Sequence, residues 1–266
     1  MIIIGVFRQK YLALFIYAIL FTLSGCGSPW QYPITDPSGD FSCFIVSPDI
    51  LYVCPTASSL VALNAQTGTL IWHRELKQNP VYGAVLANGI LYLNERGGIS
   101  AYKATDGTER WHTSLTDNSV GDNTITPVVA NDSVYTIASN HLSDTVYALS
   151  AVNGHILWHR SLQSPGFYGK QPLAVAGNTV LLTDVYHSPY SPTPNPMSQQ
   201  GASLTALRAN DGGMLWKNWF GGFSDPSLSI DHDVVYAVSL SSDTATNILH
   251  AWQIKTGRQL WSVPVS

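Results

Sequence analysis

The feature that most constrains this chain is a short motif that recurs five times with one internal spacing. "AQTGTLIW" (65–72), "ATDGTERW" (104–111), "AVNGHILW" (151–158), "ANDGGMLW" (209–216) and "IKTGRQLW" (254–261) each place a glycine four residues before a tryptophan. Trp72, Trp111, Trp158, Trp216 and Trp261 follow one another at intervals of 39, 47, 58 and 45 residues. The unit is therefore about 40 residues with variable insertions, a period that suits a propeller blade. A unit of that size cannot bury its apolar face alone, so the copies must stack.

Each copy has one anatomy. Two apolar segments joined by a tight turn come first, as in "VLANGILYL", "VVANDSVYTI", "VAGNTVLLT" and "SIDHDVVYAV". Dipeptides such as Asn88-Gly89 tolerate positive φ and close two-residue hairpins. A variable connection leads to a third segment ("LVALNA", "ISAYKA", "VYALSA", "LTALRA", "LHAWQI"), and the glycine turn then leads into the tryptophan strand. Four strands per copy, rich in β-branched and aromatic residues, predict an all-β fold: a β-propeller of four-stranded antiparallel blades with five repeats. Whether five blades close into a ring or form an arc stays open at this level, and the segment around Trp30, "WQYPI", is a candidate clasp.

The N-terminus differs in kind. Arg8 and Lys10 precede an apolar run from Tyr11 to Leu23 that ends in "LSGC". That run is shorter than the roughly 20 residues a spanning helix needs, and small residues follow it as at a cleavage site. Leu23-Ser24-Gly25-Cys26 resembles a bacterial lipobox, so residues 1–25 are expected to be a lipoprotein-type signal peptide and Cys26 its acylated residue. An ordinary secretory signal or an uncleaved anchor is the alternative. Residues 26–40, rich in Pro, Gly and Ser, read as a tether, and 41–266 as the folded body on the exported side of a membrane in the cell envelope. A net charge of -4 with no Lys/Arg block argues against nucleic acid as a partner.

The Ala-x-x-Gly-x-x-x-Trp pattern resembles the pyrroloquinoline-quinone (PQQ) repeat family over about residues 41–266. That family builds the propellers of quinoprotein alcohol dehydrogenases and of an outer-membrane protein-assembly lipoprotein. The fifth copy departs by using Ile254 for the alanine, and the count of five departs from the eight blades common in the family. The resemblance implies that a quinoenzyme would hold PQQ with a vicinal cysteine pair, an axial tryptophan and a calcium bound by Glu, Asn and Asp. This chain has cysteines only at 26, 43 and 54 and no calcium-loop motif, so no cofactor and no enzymatic activity are expected.

The five tryptophans occupy equivalent places on different blades, so they cannot converge on one stacked ligand. They are expected to pack between blades, each burying on the order of 150–250 Å². His73, His112 and His159 follow tryptophans and read as the other face of the outer strand, too far apart for one metal ion. Neither these nor His141, His187, His232 and His250 form an expected metal site, and no nucleophile elbow occurs among the serines. If Pro48-Asp49 closes the first hairpin, Cys43 lies opposite Cys54 at a separation that permits a disulfide, two buried thiols being the alternative. Asn131-Asp132-Ser133 reads as a turn, not a glycosylation site.

The connections between second and third strands and between blades are long and unequal, and in a propeller both sets emerge on one face. There they carry Tyr168, Tyr186, Tyr190 and Phe223, with "VYHSPYSPTPNPMSQQGA" (185–202) the longest. Aromatic residues on such loops predict a protein or peptide partner. A small-ligand sensor using the ring centre, or a quinoprotein oxidoreductase, are the competing readings.

Overall fold

The computed structural model describes residues 43–56, 58–76, 81–95, 97–115, 126–139, 144–162, 173–187, 200–220, 228–240 and 246–265. Residues 1–42, with the expected signal peptide, Cys26 and Trp30, lie outside the described residues, as do Tyr168, Tyr190 and Phe223. The chain divides into two compact units, Met1–Lys77 and Gln78–Ser266.

The first unit carries one sheet: β1 (Cys43–Val46), β2 (Ile50–Thr56), β3 (Ser59–Asn64) and β4 (Leu70–Glu75). The second carries four. They are β5 (Val81–Ala87), β6 (Ile90–Glu95), β7 (Gly98–Lys103) and β8 (Glu109–Ser114); β9 (Val128–Ala130), β10 (Ser133–Ser139), β11 (Asp144–Ser150) and β12 (Ile156–Leu162); β13 (Leu173–Ala176), β14 (Thr179–His187), β15 (Gln200–Arg208) and β16 (Met214–Trp219); and β17 (Leu228–Asp231), β18 (Val234–Leu240), β19 (Asn247–Gln253) and β20 (Gln259–Val265). Within every sheet the strands lie in sequence order and pair antiparallel, giving five blades of the β-propeller class.

Hairpin turns open the blades as their dipeptides require. Asn88-Gly89 and Asn131-Asp132 hold positive φ at both positions, 50° and 72° in the first and 51° and 55° in the second. In the first blade Cys43 pairs with Cys54 across β1 and β2, their Cα atoms are 4.9 Å apart, and the two sulfurs are bonded.

One row of side chains runs across each blade. Tyr52, Ala62 and Trp72 are laterally paired on β2, β3 and β4, and Tyr92-Ala101-Trp111, Tyr135-Ala148-Trp158 and Tyr236-Ala251-Trp261 repeat the row; the fourth blade substitutes Leu181 beside Ala206 and Trp216. The alanine has no bulk, so tyrosine and tryptophan close over it with ring centroids 5.9 to 6.1 Å apart. All five alanines are fully buried. A bulge follows each of them, letting the chain turn into the tryptophan strand with the ring still aimed inward.

In the second unit the row of one blade seats on the glycine turn of the next. Trp111 Nε1 donates to the Ala151 carbonyl at 3.1 Å, Trp158 to Ala209 at 2.7 Å and Trp216 to Ile254 at 2.8 Å. Tyr92 and Tyr135 hydroxyls donate to the same carbonyls as their tryptophan neighbours, at 3.3 and 3.4 Å. A side chain two residues past the tryptophan adds a further bond, to the glycine carbonyl: Thr113 to Gly154, Arg160 to Gly212 and Asn218 to Gly257. The ring itself lies flat on that glycine, since a Cβ at Gly154, Gly212 or Gly257 would come within 2.5 to 2.6 Å of it. Because the acceptor is a main-chain oxygen, Ile254 serves as well as alanine, and its side chain is buried in the apolar cluster of the last two blades.

Trp261 is 42% exposed, whereas Trp111 and Trp158 are 9% and 8% exposed. One expectation fails. The 185–202 segment is not wholly a loop: Val185, Tyr186 and His187 extend β14 and pair with Ala202, Gly201 and Gln200, so the connection is confined to 188–199.

The seat predicts how two glycines should differ. Gly89 and Gly212 share a positive φ of 72° and 69°, but a Cβ at Gly89 meets nothing within 4 Å. Gly89→Ala should therefore cost about 1 kcal/mol from backbone strain alone, and Gly212→Ala at least twice that, because the Trp158 ring must move. Urea unfolding midpoints of the two variants make the comparison.

Candidate functional site

The two ends of the blades are built differently. One end holds the hairpin turns and the glycine turns, which the repeat keeps tight. The other holds the connections between second and third strands and between blades, and there the described residues place the unusual side chains of the second unit.

In the second blade Glu95, at the end of β6, is 3% exposed. Ser100 Oγ donates to its Oε2 at 3.0 Å and the Tyr102 hydroxyl to its Oε1 at 3.4 Å. His112 Nδ1 is 2.9 Å from Ser100 Oγ and 4.0 Å from Glu95 Oε2. With the serine proton given to the carboxylate, its lone pairs face an Nδ1–H donor on His112. Gly98, opposite Glu95 in the register, makes room for this, since a Cβ there would lie 2.8 Å from His112 Cε1. The acid–serine–histidine order differs from the acid–histidine–serine order in which an imidazole takes the serine proton, so Ser100 is not set up as a nucleophile. The result is a hydrogen-bonded path from a partly exposed imidazole to a buried carboxyl.

Burial pushes the Glu95 carboxyl up to about 7, against the Ser100 and Tyr102 hydrogen bonds that lower it, with the Glu109 charge adding to the rise. Burial, and then the Glu95 charge, raises the Tyr102 phenol.

The other blades carry lesser counterparts at this end. Asp144 is 1% exposed at the start of β11, and Thr145 and Ser161 share a hydrogen bond at 3.2 Å. In the last blade His250 Nε2 lies 2.9 Å from Ser239 Oγ and the ring is stacked on Trp252, with Phe220 tilted against both. Burial lowers the His250 pKa, favouring the neutral ring. Trp219, at the end of β16, is 63% exposed with Lys217 Nζ 4.7 Å from its ring centre.

The histidines are dispersed. His73 is exposed beside Glu75, His159 stacks on Tyr147, and His232 occupies a hairpin turn beside Asp231. His141 lies outside the described residues, and His187 is on β14 with no side chain described. Among the described residues no group of three His, Cys, Asp or Glu side chains could hold a metal ion. Tyr186 lies on β14, and Tyr168, Tyr190 and Phe223 lie outside the described residues. Sequence reasoning missed Glu95 and Trp219. The only signal for the first was a carboxylate ending an apolar strand, "LYLNE", and for the second a tryptophan three residues past the motif.

The PQQ requirements can be set against these residues. Cys43 and Cys54 are bonded to each other across a hairpin and are not vicinal, and the sequence offers no other pair. The residues present do not fit that cofactor.

Five four-stranded blades, each closed by a glycine turn and a tryptophan strand, define a protein of the PQQ-like β-propeller class. Residues 30–184 and 142–266 match the family described as outer membrane protein assembly factor BamB, and the chain belongs to that family. A curated relative, tetrathionate hydrolase of Acidithiobacillus ferrooxidans, is 23% identical over 215 residues, covering 77% of this chain and 40% of the hydrolase. The quinohemoprotein alcohol dehydrogenase of Comamonas testosteroni superposes with a TM-score of 0.64 at 16% identity, covering 85% of this chain and 43% of that one. Quinohemoprotein alcohol dehydrogenase ADHIIG of Pseudomonas putida HK5 gives 0.59 at 17% identity, over 84% of this chain and 42% of that one. The chain thus spans less than half the length of these three proteins, and the structural likeness at such identity is one of fold.

The Glu95 carboxyl should make stability depend on pH. Its folded pKa, about 7, exceeds the ordinary 4.5, so the native state binds the extra proton between those values. The contribution is complete below about pH 4.5 and is lost as pH rises through 7, on the order of 3 kcal/mol at most. His250, with a lowered pKa, acts with the opposite sign, its contribution being lost as pH falls below the ordinary imidazole range. Urea midpoints measured at a series of pH values should therefore decline less from pH 5 to 8 in Glu95→Gln than in the wild type.

Proposed function

We propose that this chain is a non-enzymatic scaffold of the cell envelope that binds a protein or peptide partner at the connection end of its blades. An acylated Cys26 would tether it to a membrane surface. The observation that carries the reading is Trp219, which keeps 63% of its surface exposed at that end with Lys217 over its ring. A large amphipathic ring held on a rigid strand is what protein interfaces use as an anchor, and a tryptophan with a cation beside it suits a partner segment that is apolar and acidic. Membership of the BamB family supports a role in binding and an envelope location. Tyr186 lies on β14 of the same blade.

The test is crosslinking in membranes followed by capture, comparing intact protein with Trp219→Ala and with a variant whose 188–199 connection is shortened. Specific crosslinked partners should fall at least fivefold with Trp219→Ala while the thermal midpoint stays unchanged. Equal recovery from all three forms would remove this end from the reading. Alcohol-dependent dye reduction on adding PQQ and calcium, abolished by chelator, would replace it with an oxidoreductase.

A further inference from the structure

Among the described residues of the second unit, β8, β12, β16 and β20 each end a sheet on its outer side. Every second residue of such a strand turns its N–H and C=O away from the sheet, a template on which another strand can pair. Three places along these strands set how inviting each edge is: the two residues before the motif tryptophan and the third residue after it. β8 has Glu109, Arg110 and Ser114 there, β12 has Ile156, Leu157 and Ser161, and β20 has Gln259, Leu260 and Pro264. The charges of β8 and the proline of β20 are residues that blunt an edge, and β12 is polar at its far end. β16 alone is apolar at all three: Met214, Leu215 and Trp219 are 46%, 39% and 63% exposed.

Both neighbours of this blade lie in the second unit. Its turn receives Trp158 on Gly212, and its own Trp216 and Asn218 bond the Ile254 and Gly257 carbonyls of the next turn. Side chains alternate along a strand, so Lys217 and Trp219 project to the side opposite Trp216 and Asn218. Lys217 Nζ lies 4.7 Å from the Trp219 ring centre. The edge of β16 therefore sets a cation and an aromatic ring two residues apart beside a row of main-chain donors and acceptors.

We infer that β16 binds its partner by strand addition: an extended segment pairs with the outer edge as a fifth strand, an acidic side chain opposite Lys217 and an apolar one opposite Trp219. Main-chain bonds supply affinity in such a pairing, and alternate side chains supply choice. A second copy of this chain suits the edge less well. Two β16 strands paired antiparallel about a two-fold axis near their middle would bring the Lys217 cations together, and like charges oppose pairing. The inference rests on the partner-binding reading and gives that reading a mode.

The probe is a dye-labelled peptide, Ser-Thr-Val-Thr-Glu-Thr-Val-Thr-Ser, whose apolar–acidic–apolar face reads the same in either chain direction. Its binding to the full-length protein in mild detergent is followed by fluorescence anisotropy, and hydrogen exchange locates it. Binding should slow exchange of β16 amides and leave those of β8 unchanged. Affinity should fall at least tenfold with Trp219→Ala and with Lys217→Glu, each at a wild-type thermal midpoint. The second loss should be recovered when lysine replaces the peptide glutamate. Two counterparts of the peptide are N-methylated, one on the valine and glutamate amides and the other on the threonine amides. One of them should lose binding at least tenfold, because a single edge of the peptide strand faces β16. Equal binding by the parent and both counterparts, protection at another sheet, or no binding overturns the inference. A wild type that is dimeric by light scattering and monomeric as Trp219→Ala also overturns it and gives the edge to a second copy. If crosslinked partners fall with Trp219→Ala while N-methylation changes nothing, strand addition is removed and the partner-binding reading stands. Partners recovered equally from Trp219→Ala remove that reading itself.

Discussion

Packing in the second unit depends on a contact between an indole ring and a glycine that has no side chain to obstruct it. The ring brings apolar area, but its N–H would be stranded by burial, and leaving a buried donor unmet costs about 1–3 kcal/mol. The Ala151, Ala209 and Ile254 carbonyls remove that penalty at the same place where the glycine receives the ring face. The positive φ of the glycine serves two ends together. It closes the turn, with Gly154 N–H bonded to the Ser150 carbonyl, and it turns the main chain so that the carbonyl three residues earlier meets the neighbouring tryptophan. The residues of the motif are thus the two halves of an interface, written in reverse order along the chain: the Gly154 and Gly212 turns each receive the ring of the blade before and lead to the ring that seats on the blade after.

That arrangement explains what the sequence made legible. Glycine and tryptophan recur because one backbone geometry recurs, so five blades and their strand order could be read by counting. The opposition of Cys43 and Cys54 was legible for a similar reason, because a two-residue turn dictates register. The row of alanines was visible in the aligned third strands, yet its purpose was not, since Ala62 or Ala148 matters through what closes over it from strands on both sides. Val185, Tyr186 and His187 read as part of a long connection, although Gln200, Gly201 and Ala202, poor strand formers by themselves, are drawn into pairing by their partners.

Trp261 marks the limit of periodic reasoning. Its glycine-to-tryptophan spacing is that of the other four, Ile254 alone replacing the alanine, and its ring stands over Ala251 in the same attitude as its counterparts. Burial, however, belongs to the neighbour and not to the motif. Glu95 escaped for a related reason. Its environment is assembled from β6, β7 and β8 by Ser100, Tyr102 and His112, residues that no spacing rule groups and that other blades replace with different side chains.

The contrast between the two blade ends then has a physical cause. At the turn end, a backbone carbonyl, a glycine and a ring must coincide within a few tenths of an ångström, so substitutions there are paid in stability. At the connection end the strands have already been fixed in register, and side chains may vary without disturbing the seats. A carboxyl as buried as Glu95 can be tolerated only where three donors converge on it or on its partner serine, and where the scaffold is held by other contacts. The exposed ring of Trp219 is tolerated for the complementary reason: β16 is anchored through Trp216 and Asn218 on the adjoining turn, so the last residue of the strand is free to face outward. Specific function is therefore to be sought at the end where the repeat stops dictating the residues.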